Sequence, residues 1–220
     1  MSNITTTTTA VPAKIGAFSA AVAKRKTEMG GDSTLLLDCS SSMAAHVNVE
    51  LKGKINAERR RIDMLRRVVK SIRLAKPAVR AMAFGPLHFT ATVEYSSVRM
   101  LEPGEDIPEP SGGTPLAEAI EAATAAGGKR LVVISDGEPN DQNRALEAAR
   151  KHGHRIDCIF IGPDNAHDPG EDFLKRLADA SGGSYGKDAM TGGTLALENK
   201  IIGLLGDGGS TVPPVGPIAL

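Results

Sequence analysis

Apolar and polar positions along this chain follow two rhythms that take turns. Leu35-Leu36-Leu37 is a short continuous apolar run between Gly30-Gly31-Asp32 and Asp38, the pattern of a strand buried on both faces. Residues 58–75 switch to helical spacing, with Ile62, Leu65, Val68, Val69 and Ile72 on one side. Arg59, Arg60, Arg66, Arg67, Lys70 and Arg73 lie on the other, so the segment reads as an amphipathic helix stopped by Lys76-Pro77. Residues 78–84 and 87–93 read as strands joined by a Gly85-Pro86 turn, a link short enough for antiparallel pairing. An alanine-rich helix over 114–126 closes at Gly127-Gly128. A second buried strand follows over 129–135, then a helix over 141–152 and a strand over 155–161; His152 and His154, which flank Gly153 before that strand, read as surface turn residues. The pattern ends with a helix over 168–180, a short strand over 184–187 and a helix over 194–205.

Strands that alternate with helices imply an α/β domain with a mostly parallel sheet and helices on both faces. That domain covers 30–205. Residues 44–57 are longer than an ordinary strand-to-helix link. Within them His46-Val47-Asn48-Val49-Glu50-Leu51 alternates as a small hairpin arm would, leaving from the carboxyl end of the first strand. Residues 101–110 form a Pro-rich acidic excursion. Residues 1–11 are a threonine-rich mobile tract, and 12–29 carry Ile15, Phe18 and Val22 as the stripe of an accessory helix packed on the domain's side. Residues 206–220, rich in Gly and Pro, read as a flexible tail.

Composition changes this picture in three places. Lys and Arg (26) balance Asp and Glu (26), and Trp is absent among few aromatics. Both facts argue against a nucleic-acid partner. The basic side of 58–75 then reads as a solvated helix face, with a docking patch for an acidic protein or nucleic acid as the sharper alternative. Cys39 and Cys158 read as small reduced side chains rather than a disulfide framework. No apolar stretch has the length of a bilayer span and no secretory leader is evident, so the expected compartment is the cytoplasm, with no membrane partner.

The candidate chemistry sits where strands end. Asp38, Ser40 and Ser42 follow the first strand as Asp-x-Ser-x-Ser, three hard oxygen donors suited to a hard divalent cation such as Mg2+. Ser111-Gly112-Gly113-Thr114-Pro115 runs into a helix, with Pro115 suited to the first helical position and Thr114 to the cap. Asp136-Gly137-Glu138 ends the 129–135 strand. Five oxygen-bearing residues, Asp38, Ser40, Ser42, Thr114 and Asp136, thus lie on three loops.

Asp-x-Ser-x-Ser-Met, Gly-Gly-Thr-Pro and Ser-Asp-Gly-Glu, in that order, resemble the von Willebrand factor A-type (VWA) domain with an intact metal-ion-dependent adhesion site. The resemblance covers residues 33–205. It implies a doubly wound six-stranded sheet in the order 3-2-1-4-5-6 with strand 3 antiparallel. It also implies a metal (Mg2+, with Mn2+ or Ca2+ as alternatives) at Asp38, Ser40, Ser42, Thr114 and Asp136. The ion's remaining ligand would be an Asp or Glu of a protein partner. Ser41 stands where the family usually has Gly, so the loop must either avoid positive φ there or carry strain. Stand-alone bacterial relatives in the cytoplasm suggest an adaptor for a MoxR-type AAA+ ATPase or a stress-response complex. Two rival readings remain: a structural subunit of a larger assembly with metal-independent interfaces, and a Mg2+-dependent phosphoesterase. The second lacks a phosphate loop or a nucleophile elbow, and the expectation is a protein that is not an enzyme.

Overall fold

A computed structural model describes residues 33–51, 54–89, 94–162, 168–188 and 194–206. The expected tract and helix over 1–29 and the tail over 207–220 lie outside the described residues. Six strands form one sheet: β1 (Ser33–Asp38), β4 (Arg80–Phe89), β5 (Glu94–Met100), β6 (Arg130–Ser135), β7 (Ile156–Ile161) and β8 (Tyr185–Asp188). Their order is β5-β4-β1-β6-β7-β8. Only the β4–β5 pairing is antiparallel among them. Numbered within the sheet, this is the expected 3-2-1-4-5-6 order with its third strand reversed.

Period-two alternation explains why β1 and β6 carry unbroken apolar runs. Leu35 and Leu37 of β1 join Val132 and Ile134 of β6 in a core covered by α1 (Arg61–Ala75) and α5 (Thr194–Gly206). Leu36, Leu131 and Val133 point the other way. There they meet α2 (Leu116–Ala125), α3 (Gln142–His152) and α4 (Pro169–Ser181). Strands clad on both faces have no polar side to present. The chain winds toward one edge from β1 and toward the other from β6, so the crevice above their carboxyl ends is a topological switch point, where open α/β sheets bind ligands.

Four sequence expectations are corrected. Gly85-Pro86 is not a turn between two strands: β4 runs through it, with its pairing to β5 displaced between Phe84 and Leu87. Gly85 adopts a φ of 111°, and the irregularity lets the strand pass a residue without a ladder N–H. The helix expected from residue 58 begins at Arg61. The hairpin arm claims the preceding residues as β2 (His46–Leu51) and β3 (Lys54–Arg60), pairing His46 with Arg60 and Asn48 with Glu58. Pro115 is the cap of α2 rather than its first residue, and Thr114 precedes it.

The fourth correction concerns His152, read as a surface turn residue. It is buried in the last turn of α3. Thr124 Oγ1 donates to the Ile120 carbonyl, so its oxygen accepts the His152 Nδ1 proton at 2.8 Å. Burial first, and the neighbouring His154 second, hold the His152 pKa below its ordinary value, against a weaker opposing contact at the Lys129 backbone. The unfolded chain therefore takes up the proton before the folded one as pH falls through about 6.5, and stability falls with it. His152→Gln is expected to weaken this acid sensitivity, measured as the change in urea midpoint between pH 7.5 and 5.5.

Candidate metal centre

β1 ends in Asp38, whose side chain has no exposure. The chain then turns through Cys39 and Ser40 into a short 3-10 turn, Ser41–Ala44. Asp38 Oδ1 accepts the Ser40 N–H at 2.7 Å, which folds the loop back over the carboxylate. Its Oδ2 accepts the Ser135 hydroxyl from β6 at 2.5 Å. The hydroxyls of Ser40 and Ser42 lie 2.9 Å apart, and Ser42 donates to Asp136 Oδ1 at 2.7 Å. Four of the five expected residues are thus joined: Asp38 through the Ser40 backbone, then Ser40, Ser42 and Asp136 through their side chains.

Thr114 is brought in by its backbone. Its N–H donates to Asn140 Oδ1 at 2.8 Å, and its carbonyl accepts the Asn140 N–H at 3.0 Å. One residue earlier, a Cβ on Gly113 would lie 2.6 Å from the same Asn140 oxygen. The glycine loop is fastened to the serine loop as well: Ser41 N–H and Ser41 Oγ both donate to the Gly112 carbonyl, at 3.1 and 2.9 Å, and Ser111 N–H donates to the Cys39 carbonyl at 2.9 Å.

The departure at Ser41 is resolved by this geometry. Ser41 opens a 3-10 turn, a right-handed conformation that any L-residue adopts. Its hydroxyl adds a tie between two site loops that glycine has no atom to make.

Asp136 is held from both sides. α4 closes against its turn, where a Cβ on Gly170 would stand 2.8 Å from the Gly137 carbonyl carbon. α1 supplies the remaining partner: Arg61 Nη1 lies 2.5 Å from Asp136 Oδ2, with the Asp136 side chain fully covered.

Electrostatically the centre is short of positive charge. Burial, reinforced by the negative charge of Asp136, pushes Asp38 up to about 7, although hydrogen bonds from Ser135 and Ser40 pull the other way. Two carboxylates converging in a buried crevice, with neutral hydroxyls between them, suit a divalent cation, which would reverse that penalty. The donor set is oxygen throughout, which fits Mg2+ or Mn2+ better than a soft metal. Among the described residues no three His, Cys, Asp or Glu side chains cluster as a metal site, so hydroxyls must complete this one. Cys39 faces inward, its thiol against the Leu37 carbonyl at 3.6 Å. Burial, and then the charge of Asp38, raise its pKa and leave it a poor nucleophile.

Sequence reasoning missed Arg61, Ser135, Asn140 and Gly85. Ser135 opens the Ser-Asp-Gly-Glu motif but was given no role, and Asn140 lies two residues beyond that motif, where a wider window would have reached it. Arg61 carried no signal: it is the third of three consecutive arginines, separated from the others only by where the hairpin stops. Half of the basic residues expected on the face of 58–75 are spent on the protein itself. Arg60 and Arg66 pair with Asp63 and Glu109. Arg73 donates to the Leu101, Glu102 and Glu105 carbonyls. His46 is exposed at the start of β2.

No family model and no curated protein matches the chain. Among solved structures it is similar to the manganese-loaded TRAP protein of Plasmodium vivax, at 20% identity and a TM-score of 0.47, covering 80% of this chain and 72% of that one. It is similar to a von Willebrand factor type A from Catenulispora acidiphila, at 14% identity and a TM-score of 0.49, covering 77% and 41%. The human COPII-coat protein Sec24c shows 12% identity and a TM-score of 0.40, covering 71% and 29%.

Proposed function

We propose that this chain is a divalent-cation-dependent protein-interaction module that works without catalysing a reaction. Asp38, Ser40, Ser42, Thr114 and Asp136 would hold Mg2+ or Mn2+ at the carboxyl ends of β1 and β6, and a partner's Asp or Glu would complete the coordination. The observation that carries this reading is the hydrogen-bonded chain Ser40–Ser42–Asp136 beside buried Asp38. Arg61 balances only one of the two carboxylates, so holding both in a covered site is costly unless a further cation is shared between them. Hydroxyl ligands neutralise little of the ion's charge, so it would remain a strong electrophile toward one more anionic oxygen. The β2–β3 arm follows the serine loop in the chain, so it would add contact area around that ligand.

The compartment proposed is a reducing one such as the cytoplasm, in keeping with Cys39 and Cys158, both buried and free. No helix among the described residues is long and apolar enough to cross a membrane. An AAA+ ATPase of the MoxR type is the partner class the sequence resemblance suggests.

The test is retention of partners from native lysate by the tagged chain, in Mg2+ and in EDTA, with Asp136→Ala alongside. A partner kept only by Mg2+ and intact Asp136 is the expected result. A partner held equally in every lane would overturn the reading in favour of a structural subunit with metal-independent interfaces.

A further inference from the structure

Asp136 is already paired with a cation that the chain itself supplies. Ser42 takes its Oδ1 and the Arg61 guanidinium takes its Oδ2, and the carboxylate has no exposure left. Arg61 has little freedom to be elsewhere at its base. It is the first residue of α1, and its N–H donates to the Ala45 carbonyl at 3.0 Å. The adjacent Arg60 side chain turns away to Asp63 and Glu109.

The guanidinium nonetheless fits its seat poorly. Arg61 Nε is buried and has no hydrogen-bond partner among the described residues. A guanidinium matches a carboxylate best through two parallel N–H bonds, but here Ser42 occupies the second oxygen. Arg61 is held mainly by charge, and a buried donor left unpaired subtracts from that. A contact of this kind gives way to a stronger charge.

We infer that Arg61 is the internal counter-cation of this site, a specificity-determining residue that neutralises Asp136 in the absence of metal and leaves when a divalent ion binds. The inference rests on the metal reading above and deepens it. Arg61 and a bound metal would both draw on the Asp136 carboxylate, so each would weaken the other's hold by the same factor. The arrangement selects double charge over single charge, because a monovalent cation offers Asp136 no more than the guanidinium does.

The experiment is an equilibrium Mn2+ titration of the full chain, read by the electron paramagnetic resonance of free Mn2+. Wild type is compared with Arg61→Gln, Arg61→Lys and Asp136→Ala. Arg61→Gln is expected to bind Mn2+ about tenfold more tightly than wild type, and Arg61→Lys to stay within about threefold of it, since lysine keeps the competing charge. Asp136→Ala is expected to lose binding. A second readout is independent of affinity: the Arg61 Nε–H resonance of 15N-labelled protein should move when Mg2+ is added. If Arg61→Gln binds no more tightly than wild type while Asp136→Ala abolishes binding, the inference is overturned and the metal reading stands. An Nε–H resonance that stays fixed while the Gly137 amide shifts also overturns it. If neither wild type nor Arg61→Gln binds Mn2+, both readings fall together.

Discussion

Gly85→Ala is expected to destabilise the protein by about 4 kcal/mol, combining backbone strain of roughly 1–3 kcal/mol with overpacking of similar size. Gly85 sits at a φ of 111°, and a Cβ there would stand 2.6 Å from Ser40 N, 2.8 Å from the Cys39 carbonyl carbon and 2.9 Å from Gly113 O. All three are backbone atoms, so no side-chain rotation relieves the contact. They also belong to the two loops that carry Ser40 and Thr114. A methyl group at Gly85 would pry those loops apart, so cation binding should weaken along with stability.

Gly104 provides the comparison, because it has a φ of 83° and nothing among the described residues within 4 Å of the place a Cβ would take. Gly104→Ala should cost only the conformational part, about 1–2 kcal/mol. Urea midpoints of the two variants separate strain from contact. Equal losses would mean that the close approach at Gly85 is relieved elsewhere in the fold.

The same glycine shows where a sequence stops being informative. Gly-Pro is ordinary turn punctuation, and nothing local distinguishes a turn from a strand that must slip beneath two loops. The demand comes from Ser40 and Gly113, 45 residues before it and 28 after it in the chain. Asp38 and Asp136 were legible for the opposite reason. Each ends an apolar run, so strand, strand end and carboxylate can be read within one short window. The parallel order of the sheet followed from the strand–helix alternation together with the resemblance carried by the three motifs.

His152 lay between these cases. Ala145, Ala149 and His152 recur at i, i+4 and i+7, and all three are buried on α3. The spacing marks His152 as part of the inward face, but the adjacent Gly153 drew the reading toward a turn. Arg61 was beyond reach, because its role depends on the register of a hairpin that pairs His46 with Arg60 and so starts the helix one residue later.

Asp38→Asn is expected to lower Mn2+ affinity by about 100-fold, near 3 kcal/mol, while leaving the metal-free protein at least as stable as wild type. The two halves of this prediction come from one feature. Asp38 has no exposure, and its carboxylate faces the charge of Asp136 across the crevice. Without a cation, that charge is a burden on the fold. Asparagine has the same shape, and its Oδ1 can still accept the Ser40 N–H, the bond that shapes the serine loop. Ser135 donates to Asp38 Oδ2 in the wild type, and its hydroxyl can rotate to accept from an amide instead.

The cation loses a formal charge among its ligands, and affinity at oxygen sites depends strongly on that count. Thermal unfolding with and without Mg2+ reads both halves at once. A ligand at one hundred times its Kd stabilises the folded state by about 2.7 kcal/mol, so the wild-type midpoint should rise with Mg2+ and that of Asp38→Asn should not. A variant that kept the full Mg2+-dependent rise would show that Asp38 is not a ligand. One that lost stability before any metal was added would show that the carboxylate's hydrogen bonds outweigh the cost of its buried charge.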